Sequence, residues 1–169
     1  SNENPLGPVP EVARVLAEFA TVHRYPDPLS TALRQKLSAR LGVDADDIVT
    51  GAGSLGALNQ ILKTFAGVNA DGVQDEVIYA WRSFEAYPIL VGIMGARSVQ
   101  VPNLPDGSHD LDAMAATITD RTRLILVCTP NNPTGPAVTE SQIRAFLEKV
   151  PAHIPVVIDE AYFEFCAAS

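Results

Sequence analysis

The chain has 169 residues, 47% hydrophobic and 19% charged, enough apolar material for a buried core, which excludes a disordered polymer. A formal net charge of -8 with no lysine and arginine cluster excludes the electrostatic footprint of a nucleic-acid or anionic-membrane binder. The longest apolar run, residues 89–96, is far short of the roughly 18 residues a membrane span needs, and no charged and apolar leader precedes Ser1, so a cytoplasmic protein is expected.

In chain order, Val12, Val15, Leu16 and Phe19 form one helical stripe, and Leu33, Leu37 and Leu41 form another that starts near Ser30 and stops at Gly42. Arg24-Tyr25-Pro26-Asp27-Pro28 between them reads as an extended connector. Residues 48–50 read as a short strand, followed by a glycine-rich turn and an apolar helix over 55–65. Residues 76–79 read as strand, 84–94 as helix and 98–101 as strand, with Pro105-Asp106-Gly107 as the turn of a loop over 102–109. Asp110 is expected to cap the next helix. Residues 124–128 form a buried strand, Thr139 with Gln142 has the form of a capping box whose helix runs to about Val150, and 156–158 form the last strand. This alternation, without repeats, is the pattern of an α/β fold with a mainly parallel sheet between helices. Cys128 and Cys166 have neither metal spacing nor the density of a disulfide framework, and no metal site is expected.

Two segments carry most of the chemistry. Asn131-Asn132-Pro133-Thr134-Gly135 and Asp159-Glu160-Ala161-Tyr162 each follow an apolar strand, and in an open parallel sheet ligands sit beyond the carboxyl ends of the strands. An amide and a carboxylate on that edge suit a pyridine ring whose nitrogen must stay protonated, the demand of pyridoxal phosphate as an electron sink. Gly51-Ala52-Gly53-Ser54-Leu55-Gly56 joins strand to helix and is the best phosphate cradle in the chain, because first-turn amides lack intrahelical partners. Each segment alone has a plainer reading: Asn-Asn-Pro is a turn signal, a strand-closing aspartate can cap a helix, and Gly-x-Gly-Ser turns are widespread. Tyr25 before a proline reads as a surface aromatic, and Phe84 in an apolar helix as core.

Taken together and in order, Asn2-Glu3-Asn4-Pro5, Arg24-Tyr25-Pro26, Gly53-Ser54, Asn131-Asn132-Pro133-Thr134-Gly135 and Asp159-Glu160-Ala161-Tyr162 resemble a class II aminotransferase of the histidinol-phosphate aminotransferase family, over nearly the whole chain. Trp81-Arg82-Ser83-Phe84-Glu85, Thr119-Asp120-Arg121-Thr122-Arg123 and Val150-Pro151-Ala152-His153-Ile154 resemble its aromatic (phenylalanine) branch. The resemblance implies a truncated large domain of the pyridoxal-phosphate transferases (fold type I, aspartate aminotransferase-like), with residues 1–22 as arm and helix of a small domain and 23–169 as the cofactor domain. It implies pyridoxal 5'-phosphate with Asp159 on its pyridinium nitrogen, Asn132 and Tyr162 on its phenolic oxygen, Phe84 stacked on the ring, and Ser54 with the Leu55 amide on the phosphate. Tyr25 is implied to reach the neighbouring subunit's cofactor in a homodimer.

The implied reaction is ping-pong transamination of an aromatic amino acid with 2-oxoglutarate as the keto acid acceptor. A histidinol phosphate substrate, a lyase or decarboxylase on the same cofactor wall, and a non-catalytic cofactor-binding module stand beside it. Leu55-Gly56 departs from the acidic residues usual after the phosphate-turn serine, and Arg82-Ser83-Phe84 from Pro-Thr-Tyr. By the same resemblance the Schiff-base lysine, a phosphate-binding arginine and the substrate-carboxylate arginine lie beyond Ser169. Lys36, Lys63 and Lys149 all fall in helix-like stretches, so no catalytic residue is expected within this chain, which alone should not turn over.

Overall fold

The computed structural model describes residues 4–166, so Asn2 and Glu3 of the first motif lie outside the described residues. Two compact units divide between Val49 and Thr50.

The first unit holds α1 (Pro10–Glu18) and α2 (Thr31–Leu41). Proline occupies the first turn of α1, where its missing N–H is no loss. α2 ends at Gly42 in the left-handed region (φ 71°), as the sequence suggests. Its start differs in detail: the Ser30 side chain makes no cap, and the Asp27 carboxylate accepts instead from Thr31 N (2.7 Å) and Leu29 N (3.0 Å). Hydrogen bonding by the Thr31 side chain first, then by these two amides, holds the Asp27 carboxyl below its usual range. The expected apolar stripe of α1 is not packed, Val12, Val15, Leu16 and Phe19 all remaining exposed.

The second unit runs α3 (Gly53–Phe65), β1 (Glu76–Trp81), α4 (Ala86–Ile93), β2 (Arg97–Pro102), α5 (Leu111–Ala116), β3 (Thr122–Cys128), α6 (Glu140–Leu147) and β4 (Val156–Asp159). The four strands form a parallel sheet in the order β2-β1-β3-β4. Residues 48–50 do not join it; they are irregular backbone after a short 3-10 turn. All three residues, Ile48, Val49 and Thr50, are β-branched, but three residues lack the length to add a ladder, and tertiary context decides against the local pattern.

Apolar side chains alternate along β1 and β3 and feed two cores. Val77, Tyr79, Leu124, Leu126 and Cys128 pack with Leu58 and Leu62 of α3 and with Tyr87, Leu90 and Val91 of α4. Ile78, Ala80, Ile125 and Val127 face the other way, toward Met114 of α5 and Phe146 of α6. Strands covered on both faces need continuous apolar runs, as β1 and β3 have. α4 begins two residues later than the pattern suggests, with Pro88 in its first turn, the place where a helix tolerates proline. Asp110 caps α5 through Ala113 N (2.9 Å), and Thr139 with Gln142 forms the expected capping box of α6. No helix among the described residues is long and apolar enough to cross a membrane.

This topology creates a crevice. From β1 the chain steps outward to β2, then crosses back over β1 to β3 and on to β4, so the strand order reverses between β1 and β3. Crossovers of one hand then put α4 on one face and α5 and α6 on the other, as the two cores require. A ligand crevice is expected beyond the carboxyl ends of β1 and β3, where the loops starting at Arg82 and Thr129 emerge.

Candidate functional site

Those two loops are tied across the reversal point by polar groups. Ser83, buried, donates through Oγ to Asn131 Oδ1 (2.7 Å), and Asn131 Nδ2 donates to the Arg82 carbonyl (2.9 Å) and to Thr134 Oγ1 (2.6 Å). Thr134 Oγ1 donates to the Gly107 carbonyl (2.7 Å), and Asn103 Nδ2 adds a second bond to the Arg82 carbonyl (2.7 Å). Three loops are thereby fixed through one buried amide, since an Asn side chain offers both donor and acceptor. The loop at Thr129 contains cis peptides before Pro130 and Pro133, and a third cis bond joins Trp81 to Arg82.

Asp159 closes β4 opposite Cys128, the last residue of β3. Its carbonyl accepts from Thr129 N (2.9 Å), its Oδ2 accepts from the Tyr87 hydroxyl (2.7 Å), and among the described residues its Oδ1 accepts only from Ala161 N (3.3 Å). Tyr87 is fully buried, and burial first, with the negative charge of Asp159 adding to it, raises its phenol far above the ordinary range, so it stays a neutral donor. Burial likewise pushes the Cys128 thiol up, so that it remains a thiol near neutral pH. Behind the loop, His109 is buried with Nε2 2.7 Å from the Cys128 carbonyl; the carbonyl can only accept, so Nε2 carries the proton. Burial holds the His109 ring below its usual pKa, and Nδ1 has no hydrogen-bond partner among the described residues.

Of the residues singled out from sequence, Asn132, Asp159, Tyr162 and Phe84 gather on this edge. Asn132 Nδ2 lies 3.5 Å from the Tyr162 hydroxyl, and a cleft of ≈ 440 Å³ separates residues 130–137 from Tyr162 and Phe165. Phe84 is half-buried and meets Tyr87 edge to face (centroids 5.6 Å, 85°). Ser54 and Leu55 are exposed in the first turn of α3, and their side chains share no described hydrogen bond or ring contact with this group. The turn itself is sterically specific: a Cβ on Gly51 would lie 2.5 Å from Ala57 N and 2.7 Å from Gly56 C. The first intrahelical bond is Gly56 N to Ala52 O (3.3 Å), leaving the amides of Gly53, Ser54 and Leu55 ahead of it, and no side chain caps them. Tyr25, in the first unit, is fully exposed.

Sequence reasoning missed Tyr87, Ser83, Asn131 and His109. Tyr87 sits on the buried face of an apolar helix and Ser83 in a loop, where no spacing marks either; only Asn131 carried a signal, as the neighbour of Asn132. Among the lysines, Lys36 lies in α2, Lys63 is exposed in the last turn of α3, and Lys149 pairs with Asp112 (2.5 Å). No group of three or more potential metal ligands occurs among the described residues.

Comparison with known proteins gives the arrangement a family. The sequence profile of aminotransferase class I and II matches residues 1–169. The aromatic amino acid aminotransferase of Streptomyces coelicolor is 54% identical over 166 residues, covering 98% of this chain and 45% of the relative, and that of Thermobifida fusca is 49% identical over the same span. The chain thus spans about 45% of the length of these curated relatives. The crystal structure of histidinol-phosphate aminotransferase from Sinorhizobium meliloti in complex with pyridoxal-5'-phosphate superposes with a TM-score of 0.86 at 28% identity, over 97% of this chain and 44% of that one. Family profile and fold agree, and the chain belongs to the class I and II aminotransferases.

Proposed function

We propose that the intact protein is a pyridoxal-phosphate-dependent aminotransferase that takes the amino group of an aromatic amino acid of the phenylalanine or tyrosine type and passes it to 2-oxoglutarate. The observation that carries this reading is Asp159: a strand-closing carboxylate with one oxygen held by a buried phenol and the other left with a single long bond, on the same edge as the Asn132 and Tyr162 pair. Three relatives near 50% identity that are aromatic amino acid aminotransferases support the substrate class.

The residues present fit the cofactor. Asp159 would hold the protonated pyridine nitrogen, Asn132 and Tyr162 the phenolic oxygen, Phe84 the ring face, and the Ser54 hydroxyl with the amide of Leu55 the phosphate, at a turn where Gly51 permits close backbone approach. When bound, the cofactor supplies an electron sink for the carbanion left by removal of the substrate's alpha proton. The chain's own groups keep the ring nitrogen protonated through a fixed carboxylate, orient the ring oxygen through amide and phenol, and neutralise the phosphate with backbone dipoles. Tyr25, exposed in the first unit, would reach the cofactor of a second subunit, making a homodimer the active unit, with residues 1–22 belonging to a small domain and 23–169 to the cofactor domain. The lysine that bonds the cofactor would come from outside these 169 residues.

Product analysis tests the reading. Incubation of the intact protein with phenylalanine, 2-oxoglutarate and pyridoxal phosphate is expected to give phenylpyruvate and glutamate in equal amounts. Release of carbon dioxide or ammonia without glutamate would point to a decarboxylase or lyase instead. A second substrate, histidinol phosphate, is favoured by the Sinorhizobium likeness, and a higher kcat/KM for it than for phenylalanine would replace the aromatic reading.

A further inference from the structure

We propose that Tyr87 is a positioning residue for the cofactor: its hydroxyl locks the Asp159 carboxylate in the orientation that presents one oxygen to the pyridine nitrogen. This inference rests on the cofactor reading above and names a residue that lies away from the ligand edge, inside the core.

The geometry is specific. Tyr87 is fully buried and its ring is clamped edge to face by Tyr79 (5.4 Å, 65°) and Phe84 (5.6 Å, 85°), so the phenol has little freedom to follow a moving partner. The backbone at Asp159 is pinned as well, by the β3 pairing and by Thr129 N on its carbonyl. With main chain and Oδ2 both fixed, the side-chain torsions of Asp159 are set before any ligand arrives. The lone long contact to Oδ1 leaves that oxygen available to a ring N–H. A phenol suits the task because it donates a hydrogen bond without bringing a positive charge that would compete with the pyridinium for the carboxylate. Burial keeps the phenol protonated across the working pH range. The same ring touches Phe84, so one core residue supports both the group expected on the nitrogen and the group expected on the ring face.

A double-mutant cycle on the intact protein tests this, with pyridoxal phosphate affinity and the 15N resonance of its labelled ring nitrogen as readouts. Tyr87→Phe retains the ring and its edge-to-face contacts and removes only the hydroxyl. It is expected to weaken cofactor binding about tenfold in the presence of Asp159, as loss of a hydrogen bond to a charged group does, and to move the 15N resonance. In an Asp159→Asn background the same change should alter affinity less than about twofold, because the carboxylate it acts through is gone. An equal loss in both backgrounds would overturn the positioning role and leave a packing role. An unchanged affinity and 15N resonance for Tyr87→Phe would also overturn it. Failure of the wild-type protein to bind pyridoxal phosphate would instead bring down the cofactor reading and this inference with it.

Discussion

Ser83 and Asn131 stand 48 residues apart in the chain and share a buried 2.7 Å hydrogen bond, Ser83 Oγ donating to Asn131 Oδ1. The bond crosses the point where the strand order reverses, so the segment leading to Phe84 and the segment carrying Asn132 are held at a fixed spacing. Ser83→Ala leaves Asn131 Oδ1 without its donor and is expected to cost about 1–3 kcal/mol of stability. Asn131→Ala removes both the acceptor and the amide that joins Arg82 and Thr134, and should cost more than Ser83→Ala. Urea unfolding of the two variants measures the order; equal and negligible losses would mean the bridge is dispensable.

The turn before α3 depends on Gly51 for space. A Cβ there meets backbone atoms of Gly56 and Ala57, which cannot swing aside as a side-chain end could. Gly51→Ala is therefore expected to destabilise the protein by about 1–3 kcal/mol, the usual range for overpacking, and to weaken pyridoxal phosphate binding by shifting the amides of α3. Cofactor titration with thermal unfolding checks both; a variant with wild-type affinity would remove this turn from the phosphate site.

His109 gives the fold a pH dependence with a definite sign. Its folded pKa lies below the ordinary histidine value of about 6.5, so as pH falls through that value the unfolded chain takes up a proton that the buried ring refuses. Its contribution to stability is complete above about pH 6.5 and declines as pH falls toward the folded pKa. His109→Gln, which can still donate to the Cys128 carbonyl, should flatten the stability profile between about pH 7 and pH 5. Urea midpoints across that range decide it, parallel profiles being the contrary result.

Helix caps offer a paired comparison. Thr139→Ala breaks the capping box of α6 and is expected to cost about 1 kcal/mol. At α2, Ser30→Ala should be close to neutral because that side chain makes no cap, while Asp27→Ala should lower the melting temperature by removing the carboxylate that holds Leu29 N and Thr31 N. A larger effect at Ser30 than at Asp27 would reverse this assignment.

Features set by local chemistry were legible in the sequence. The apolar runs of β1 and β3, the Asp110 cap, the Thr139 and Gln142 capping box and the Gly42 stop all follow from neighbours a few residues apart. The polar clusters after β3 and β4 were legible for the same reason, and the structure brings them together, with Cys128 opposite Asp159 and Asn132 beside Tyr162. Long-range partnerships were not legible. Residues 48–50 have a strand-like pattern but form no strand, and the apolar stripe of α1 stays exposed in its own unit. Tyr87 reads as core because it is core; its hydrogen bond to Asp159 spans 72 positions, which no helical spacing encodes. Asn132 was chosen over Asn131 as the polar residue of interest, yet Asn131 is the one whose buried amide assembles the loops.

The most direct test of the central claim is a single-turnover reaction of the intact, cofactor-loaded protein with phenylalanine and no keto acid acceptor, run for wild type and Asp159→Asn. Wild type is expected to yield one equivalent of phenylpyruvate per bound cofactor, and the variant to do so about a hundredfold more slowly or worse, as befits loss of a preorganised charge at the reacting centre. Absence of phenylpyruvate from the wild type, or an undiminished rate in Asp159→Asn, would contradict the account.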